Sequence, residues 1–160
     1  MLKPPLFDSL LAGTPFRGLI IHRFVGLCAY IGVPNEHWMA EMDELVLQVH
    51  GSITFRGPGG DGYRPEGWYW WGWDYQHASD YCEVPEEIQE VIPPELSEIM
   101  KSHMSHGKKW TVAEVEQDLI DAAVELHARV LAYQESASRL VEASSRATMG
   151  DAGSDAGDAA

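Results

Sequence analysis

Basic residues are scarce in this chain. Eleven Lys and Arg stand against 25 Asp and Glu in 160 residues, a formal charge of −14. A nucleic-acid polymer is held by a basic surface that displaces its counterions, so this balance argues against DNA or RNA as partners and against docking on an anionic membrane. Long apolar runs are missing too. Leu19 to Ile21 and Val25 to Val33 are interrupted by His22 and Arg23, well short of the roughly 20 residues that span a bilayer. The opening stretch MLKPPLFDSLLAGTPF lacks the apolar core of a secretory signal, so a cytoplasmic location is expected. Cysteine is nearly absent. Cys28 and Cys82 are the two present, too few for a disulfide framework and without the CxxC spacing of a metal knuckle. Two reduced thiols are expected, with a single 28–82 bridge as the alternative. No repeat of 20–50 residues is visible.

What is present can build a core. Hydrophobic residues make up 45% of the chain and six are Trp, which excludes a wholly disordered protein. Residues 18–33, GLIIHRFVGLCAYIGV, are rich in β-branched and aromatic side chains and read as two short strands, or one strand bent at Gly26. From Leu47 to Phe55 the apolar positions alternate with Gln48, His50, Ser52 and Thr54, the pattern of a half-buried strand. The Gly- and Pro-rich stretch 56–67 reads as a loop, and WYWWGWDY at 68–75 resumes alternation. An antiparallel pair between 47–55 and 68–75 is expected. Residues 83–106 are acidic, broken at Pro93-Pro94, and read as short helical turns. Thr111 and Glu114 form a capping box. Behind it Val115, Leu119, Ala122, Leu126, Val130, Tyr133, Ala137 and Leu140 step by three or four, an apolar stripe on one helix over 111–142. Such a helix is roughly 48 Å long, longer than a compact domain of this size needs. A second copy of the chain is therefore expected to cover its apolar end, giving a homodimer or higher oligomer. The last residues, 143–160, are small, polar and aperiodic and read as a disordered tail behind a single 1–142 domain.

The polar face of 47–55 carries His50, Ser52 and Thr54, and the expected hairpin sets Asp74 on that face with His77 and Asp80 just beyond it. Beside Trp70 and the glycine loop this reads as a polar ligand pocket with an aromatic wall. Gly57, Gly59, Gly60 and Gly62 leave backbone amides open to an anion. Arg56 and Arg64 flank the loop and suit phosphate. Trp70 is the expected stacking ring, while Tyr69, Trp71, Trp73 and Tyr75 are expected in the core. The same residues also fit a purely structural role, with the glycines turning the chain and His50 satisfying Asp74 in a buried polar position.

Three chemistries compete for these residues. Asp74, His77 and Asp80 have D-x2-H-x2-D spacing, which aligns on one face if the segment is helical; with His50 they form an N/O set for a divalent ion. His50-Gly51-Ser52 and His77-Ala78-Ser79 both read H-x-S, the paired arrangement of two-histidine phosphoesterases, one imidazole as base and one as acid. Lys108 and Lys109 precede the capped helix, where a bridging anion would offset their repulsion from its dipole.

VHGSITF at 49–55 and WWGWDYQHASDY at 70–81, with CAYIGVP at 28–34 upstream, resemble a group of small bacteriophage proteins, chiefly from phages of actinobacteria. That group shares H-G-G-x-T-[FY], a Gly-rich loop and W-x-G-[FW]-D-x-x-H-x-x-D. Ser52 stands where the group has its second Gly. The matching positions are His50, Gly51, Thr54, Gly72, Asp74, His77 and Asp80. The resemblance implies a phage origin, action in the cytoplasm of the infected host cell, and a shared site at those positions; it implies no activity.

Together these observations predict an α+β fold, an antiparallel sheet of three to five strands packed by a long C-terminal helix. The expected function is that of a phage accessory, anti-defence protein that binds and sequesters a small anionic nucleotide-like signal through His50, Ser52, Thr54, Arg56, Trp70, Asp74 and His77, with no cofactor. The alternatives are a metal-dependent hydrolase of such signals, with His50, Asp74, His77 and Asp80 holding a divalent metal, and an acidic decoy of a host protein built on Glu86, Glu87 and Glu90.

Overall fold

Five strands form one antiparallel sheet, ordered β1-β2-β3-β5-β4, in the computed structural model, which describes residues 3–23, 25–42, 45–84 and 86–151. The strands are β1 (Phe7–Leu10), β2 (Arg17–Arg23), β3 (Gly26–Pro34), β4 (Phe55–Pro58) and β5 (Trp68–Asp74). A 3-10 turn, Trp38–Glu41, follows β3. Helices α1 (Glu86–Gln89), α2 (Pro94–Met104) and α3 (Val112–Asp151) complete the chain. This is the α+β architecture expected from the sequence, a sheet with a long C-terminal helix.

The β-branched run at 18–33 divides as the sequence indicates. β2 and β3 pair from Arg17↔Gly32 to Arg23↔Gly26, so Gly26 sits where the chain reverses. β1 was not anticipated: FDSL offers no apolar alternation, and β1 is tied to β2 by the bidentate Arg17–Asp8 pair at 2.7 and 2.9 Å.

Residues opposite one another in antiparallel strands share a face. Ile20, Ala29 and Trp73 therefore lie on one face with Ile31 and Trp71. Gly18 is on that face too, and the Leu119 side chain of α3 lies so close that a Cβ on Gly18 would approach it to 2.8 Å. The first turns of α3 bury Val115, Leu119, Ala122 and Ala123. On the opposite face Leu19, Ile21, Cys28, Tyr30 and Trp70 form a second core, with Phe55, Tyr63 and Trp68 at its margin. Two glycines make this face possible. Tyr30 lies over Gly72, where a Cβ would come within 2.3 Å of the ring, and Trp70 lies over Gly32, where it would come within 2.7 Å. They are cross-strand pairs, Tyr30↔Gly72 and Gly32↔Trp70.

The expected strand at 47–55 is a correction. Only Phe55 enters the ladder, in β4, while 45–54 is irregular. The hairpin exists, but it pairs Phe55↔Gly72 through Pro58↔Tyr69. Gly51 adopts a left-handed φ of 71°, which breaks the extended run expected there. The alternation at 47–54 thus reflects one-sided burial of a loop.

The capping box forms as read. Glu114 Oε2 accepts from the Thr111 N–H and hydroxyl, both at 2.9 Å, and the Glu114 N–H donates back to Thr111 Oγ1 at 3.3 Å. α3 continues past Glu142 to Asp151, so the first part of the expected tail is helical; residues 152–160 lie outside the described residues. From Lys108 to Met149 the sequence holds no Gly or Pro, and nothing local stops the helix. The chain divides into two compact units, Met1–Val124 and Glu125–Ala160. The sheet, α1, α2 and the site below belong to the first. Within the second, Glu125–Arg129 and Glu135–Arg139 pairs run along the helix, and Leu131, Tyr133, Leu140 and Val141 are exposed. No helix among the described residues is long and apolar enough to cross a membrane.

Candidate functional site

β5 ends at Asp74, and the chain then turns through residues 77–80. The Asp80 N–H donates to the His77 carbonyl at 2.9 Å, and the His77 N–H donates to Asp80 Oδ2 at 2.9 Å. That turn carries His77 Nδ1 to 3.2 Å from Asp80 Oδ2. The irregular segment before β4 brings His50 Nε2 to 2.8 Å from the same oxygen. The other oxygen, Oδ1, accepts the Trp110 indole N–H at 2.8 Å. Donor atoms of His50, His77 and Asp80 all lie within 4.8 Å of one another.

Trp110 reaches the site because residues 105–110 run beside the turn. The Tyr81 N–H donates to the Lys108 carbonyl and the Lys108 N–H to the Ser79 carbonyl, each at 2.9 Å. Gly107 allows that approach, since a Cβ there would stand 2.4 Å from the Asp80 carbonyl carbon. His50 is fixed from its faces as well. It stacks flat on Tyr75, 4.9 Å between centroids and 1° between planes, and meets the His77 and Trp110 rings edge-on at 4.9 Å each. The Tyr75 hydroxyl accepts from Trp73 Nε1 at 3.1 Å and donates to Asp118 Oδ2 at 3.0 Å, which locks the stacking ring to α3.

Asp80 is buried, and His50 and His77 are partly exposed. Burial alone would raise the Asp80 carboxyl. The hydrogen bonds from His50, Trp110 and the His77 amide outweigh it and hold the carboxyl below its ordinary value. Asp80 is therefore an anion at neutral pH, with two imidazoles bonded to one of its oxygens.

The sequence pairing of His50 with Asp74 is corrected: the carboxylate beside His50 is Asp80. Asp74 accepts the Thr54 hydroxyl at 3.1 Å and borders another cavity, with Cys28, Tyr30 and Gln76. A helical D-x2-H-x2-D face does not form, because Asp74 is the last residue of a strand. Trp70 is fully buried, its ring over Gly32 and its N–H on the Pro65 carbonyl at 3.3 Å, so it presents no stacking face. Arg64 is buried as well. It pairs with Asp61 and lies over the Phe55 ring, 3.5 Å from its centroid, which pins the glycine loop to the sheet. Gly59 packs so tightly on Pro65 that a Cβ would meet its carbonyl oxygen at 1.9 Å. Close packing accounts for that glycine. Ser52 and Arg56 border a third cavity, joined to the histidines by Gly51.

Lys108 and Lys109 are engaged by groups of the chain itself. Lys108 pairs with Glu114 at 3.1 Å and sits over the Trp110 ring, and Lys109 lies over Tyr81. Both cysteines are buried, unpaired thiols. Burial, reinforced by the Asp74 carboxylate, pushes the Cys28 thiol up to about 11. Sequence reasoning missed Trp110, Tyr75 and Asp118 as parts of the site. The available signal was a lone Trp placed directly before the helix cap in HGKKWT. No family model, curated protein or solved structure matches this chain.

Proposed function

We propose that this chain binds a divalent transition-metal ion through His50, His77 and Asp80 and hydrolyses a small anionic, nucleotide-like ligand there. One observation carries the proposal: two imidazole nitrogens converge on one oxygen of a buried carboxylate, at 2.8 and 3.2 Å. An ion with bonds of about 2.0–2.2 Å holds neighbouring donors at comparable separations. Two His and one carboxylate suit zinc, iron or cobalt. Three protein ligands would leave positions open to water, and a bound ion would supply Lewis acidity there. The chain's own contribution is orientation. Asp80 supplies the negative charge, Trp110 holds its far oxygen, and Tyr75 keeps the His50 ring in plane.

The resemblance to bacteriophage proteins supports a setting, the cytoplasm of an infected cell, in which an accessory role against host defence is proposed. Sequestration without turnover is the second possibility. It is favoured by the completeness of the Asp80 hydrogen bonding, which needs no ion to be satisfied. Exposed Leu131, Tyr133, Leu140 and Val141 support a homo-oligomer through α3.

Metal-stripped protein titrated with Co2+ is expected to develop a visible absorption band at one ion per chain. His77→Ala should abolish the band, while His103→Ala, a histidine on α2, should leave it intact. Incubation with a panel of nucleotides is then expected to give altered product, lost on adding chelator. No stoichiometric Co2+ binding would overturn the metal site. Binding of an unaltered nucleotide in the absence of metal would establish sequestration instead.

A further inference from the structure

Beside the histidines lies a cavity of about 310 Å³, bordered by Leu45, Leu47, Ser52, Ile53, Arg56 and Trp71. Arg56 and Trp71 face each other in the β4–β5 register, so their side chains leave the sheet on the same face at its edge strand. Trp71 is 1% exposed, and its indole N–H is one of the few buried polar groups with no acceptor among the described residues. Buried donors are nearly always paired, and an empty one calls for an acceptor. Among the described residues the Arg56 side chain forms no ion pair or hydrogen bond either, in a chain where carboxylates outnumber cations more than twofold. A guanidinium and a hydroxyl thus border one cavity beside the buried Trp71, and its remaining walls are aliphatic.

The cavity adjoins the histidine site through the chain itself. His50, Gly51 and Ser52 are consecutive. Gly51 borders the cavity and lies against the His77 ring, where a Cβ would come within 2.3 Å of Nε2. Ser52 is two residues from His50, which limits their Cα separation to about 7 Å.

We infer that this cavity is an oxyanion subsite. It takes the phosphate or carboxylate head of a small organic ligand on Arg56 and Ser52, next to the Trp71 ring that reports its arrival, with an apolar portion against Leu45, Leu47 and Ile53, and the same ligand reaches His50, His77 and Asp80. The last clause rests on the metal site proposed above; the subsite does not. The arrangement also answers the charge problem. A ligand anion approaching a strongly acidic chain needs a local cation, and among the described residues no carboxylate pairs with Arg56.

The test uses the 15N-labelled full chain. The Trp71 indole N–H resonance is assigned with Trp71→Phe, and inorganic phosphate and acetate are titrated in parallel at constant ionic strength. One or both anions should shift that resonance saturably, and the anion that does so identifies the head group. Arg56→Ala should weaken the binding by about tenfold or more, the loss of a charge-assisted hydrogen bond. A Trp71 resonance that neither anion moves, or that moves equally in Arg56→Ala, overturns the subsite. Should Trp71→Phe fail to fold, the indole resonance whose anion response Arg56→Ala weakens serves the same comparison, and the absence of any such resonance overturns the subsite. Co2+ binding separates the two proposals. A Trp71 shift without Co2+ binding overturns the metal site and leaves the subsite standing. Co2+ binding with no shift does the reverse. In Co2+-loaded protein, the anion that shifts Trp71 should also perturb the visible band; an unchanged band overturns the single-ligand assignment.

Discussion

At the scale of single residues, Asp80 concentrates the most interactions. It accepts from His50, His77, the His77 amide and Trp110 while nearly excluded from water. Its carboxyl is held below the ordinary value, so folding gains from its ionisation. That gain is complete above the unfolded-state value of about 3.9 and is lost as pH falls through the lower folded-state value. Chemical-denaturation midpoints should therefore fall on acidification below about pH 4. Asp80→Asn should be less stable than the parent at pH 7 and lose less on acidification; parallel acid limbs in the two proteins would remove Asp80 as the cause. The two thiols give a second residue-scale prediction. Burial raises both, Cys28 to about 11, so little thiolate exists at pH 8 and an aromatic disulfide reagent should react slowly with native protein. In denaturant both thiols should react promptly. Prompt reaction in the native state would place one of them at the surface.

At the scale of elements, strands β3 and β5 are matched ring to glycine. Tyr30 covers Gly72 and Trp70 covers Gly32, which lets two large aromatics lie flat in a core between the sheet and the 59–67 loop. Gly72→Ala puts a methyl group 2.3 Å from the Tyr30 ring. Overpacking of this kind costs about 1–3 kcal/mol, and the loss should appear as a lower urea midpoint with an unchanged slope. A neutral result would mean that Tyr30 moves freely. The irregular segment 45–54 shows the converse. It lies outside the ladder, and its His50 reaches Asp80 of the 77–80 turn at 2.8 Å.

At the scale of the whole molecule, charge and the helix dominate. A chain of −14 repels itself and anionic ligands alike; salt screens that long-range repulsion more than the contact at Arg56, so phosphate binding there should strengthen as ionic strength rises from a low value. α3 exposes Leu131, Tyr133, Leu140 and Val141, and the homo-oligomer proposed above would cover some of them. Light scattering is expected to return at least twice the 17.8 kDa of one chain, and Leu140→Lys with Val141→Lys to return a single chain. A monomeric parent would refute assembly through this helix.

Periodicity and capping are local codes, and they identified much of the fold. The β-branched run at 18–33, the aromatic strand at 68–74 and the Thr111–Glu114 box all sit where nearest-neighbour chemistry puts them. The histidines and Asp80 were visible as residue types as well, yet the partner assigned to His50 was wrong. Asp74 sits on the neighbouring strand and was the natural choice for a paired extended segment. The actual partner is thirty residues from both His50 and Trp110. Its position depends on a turn, on a left-handed glycine, and on Gly107 letting two backbones approach closely. Those contacts join segments distant along the chain. They have no periodic signature, because the free energy that selects them comes from packing in three dimensions.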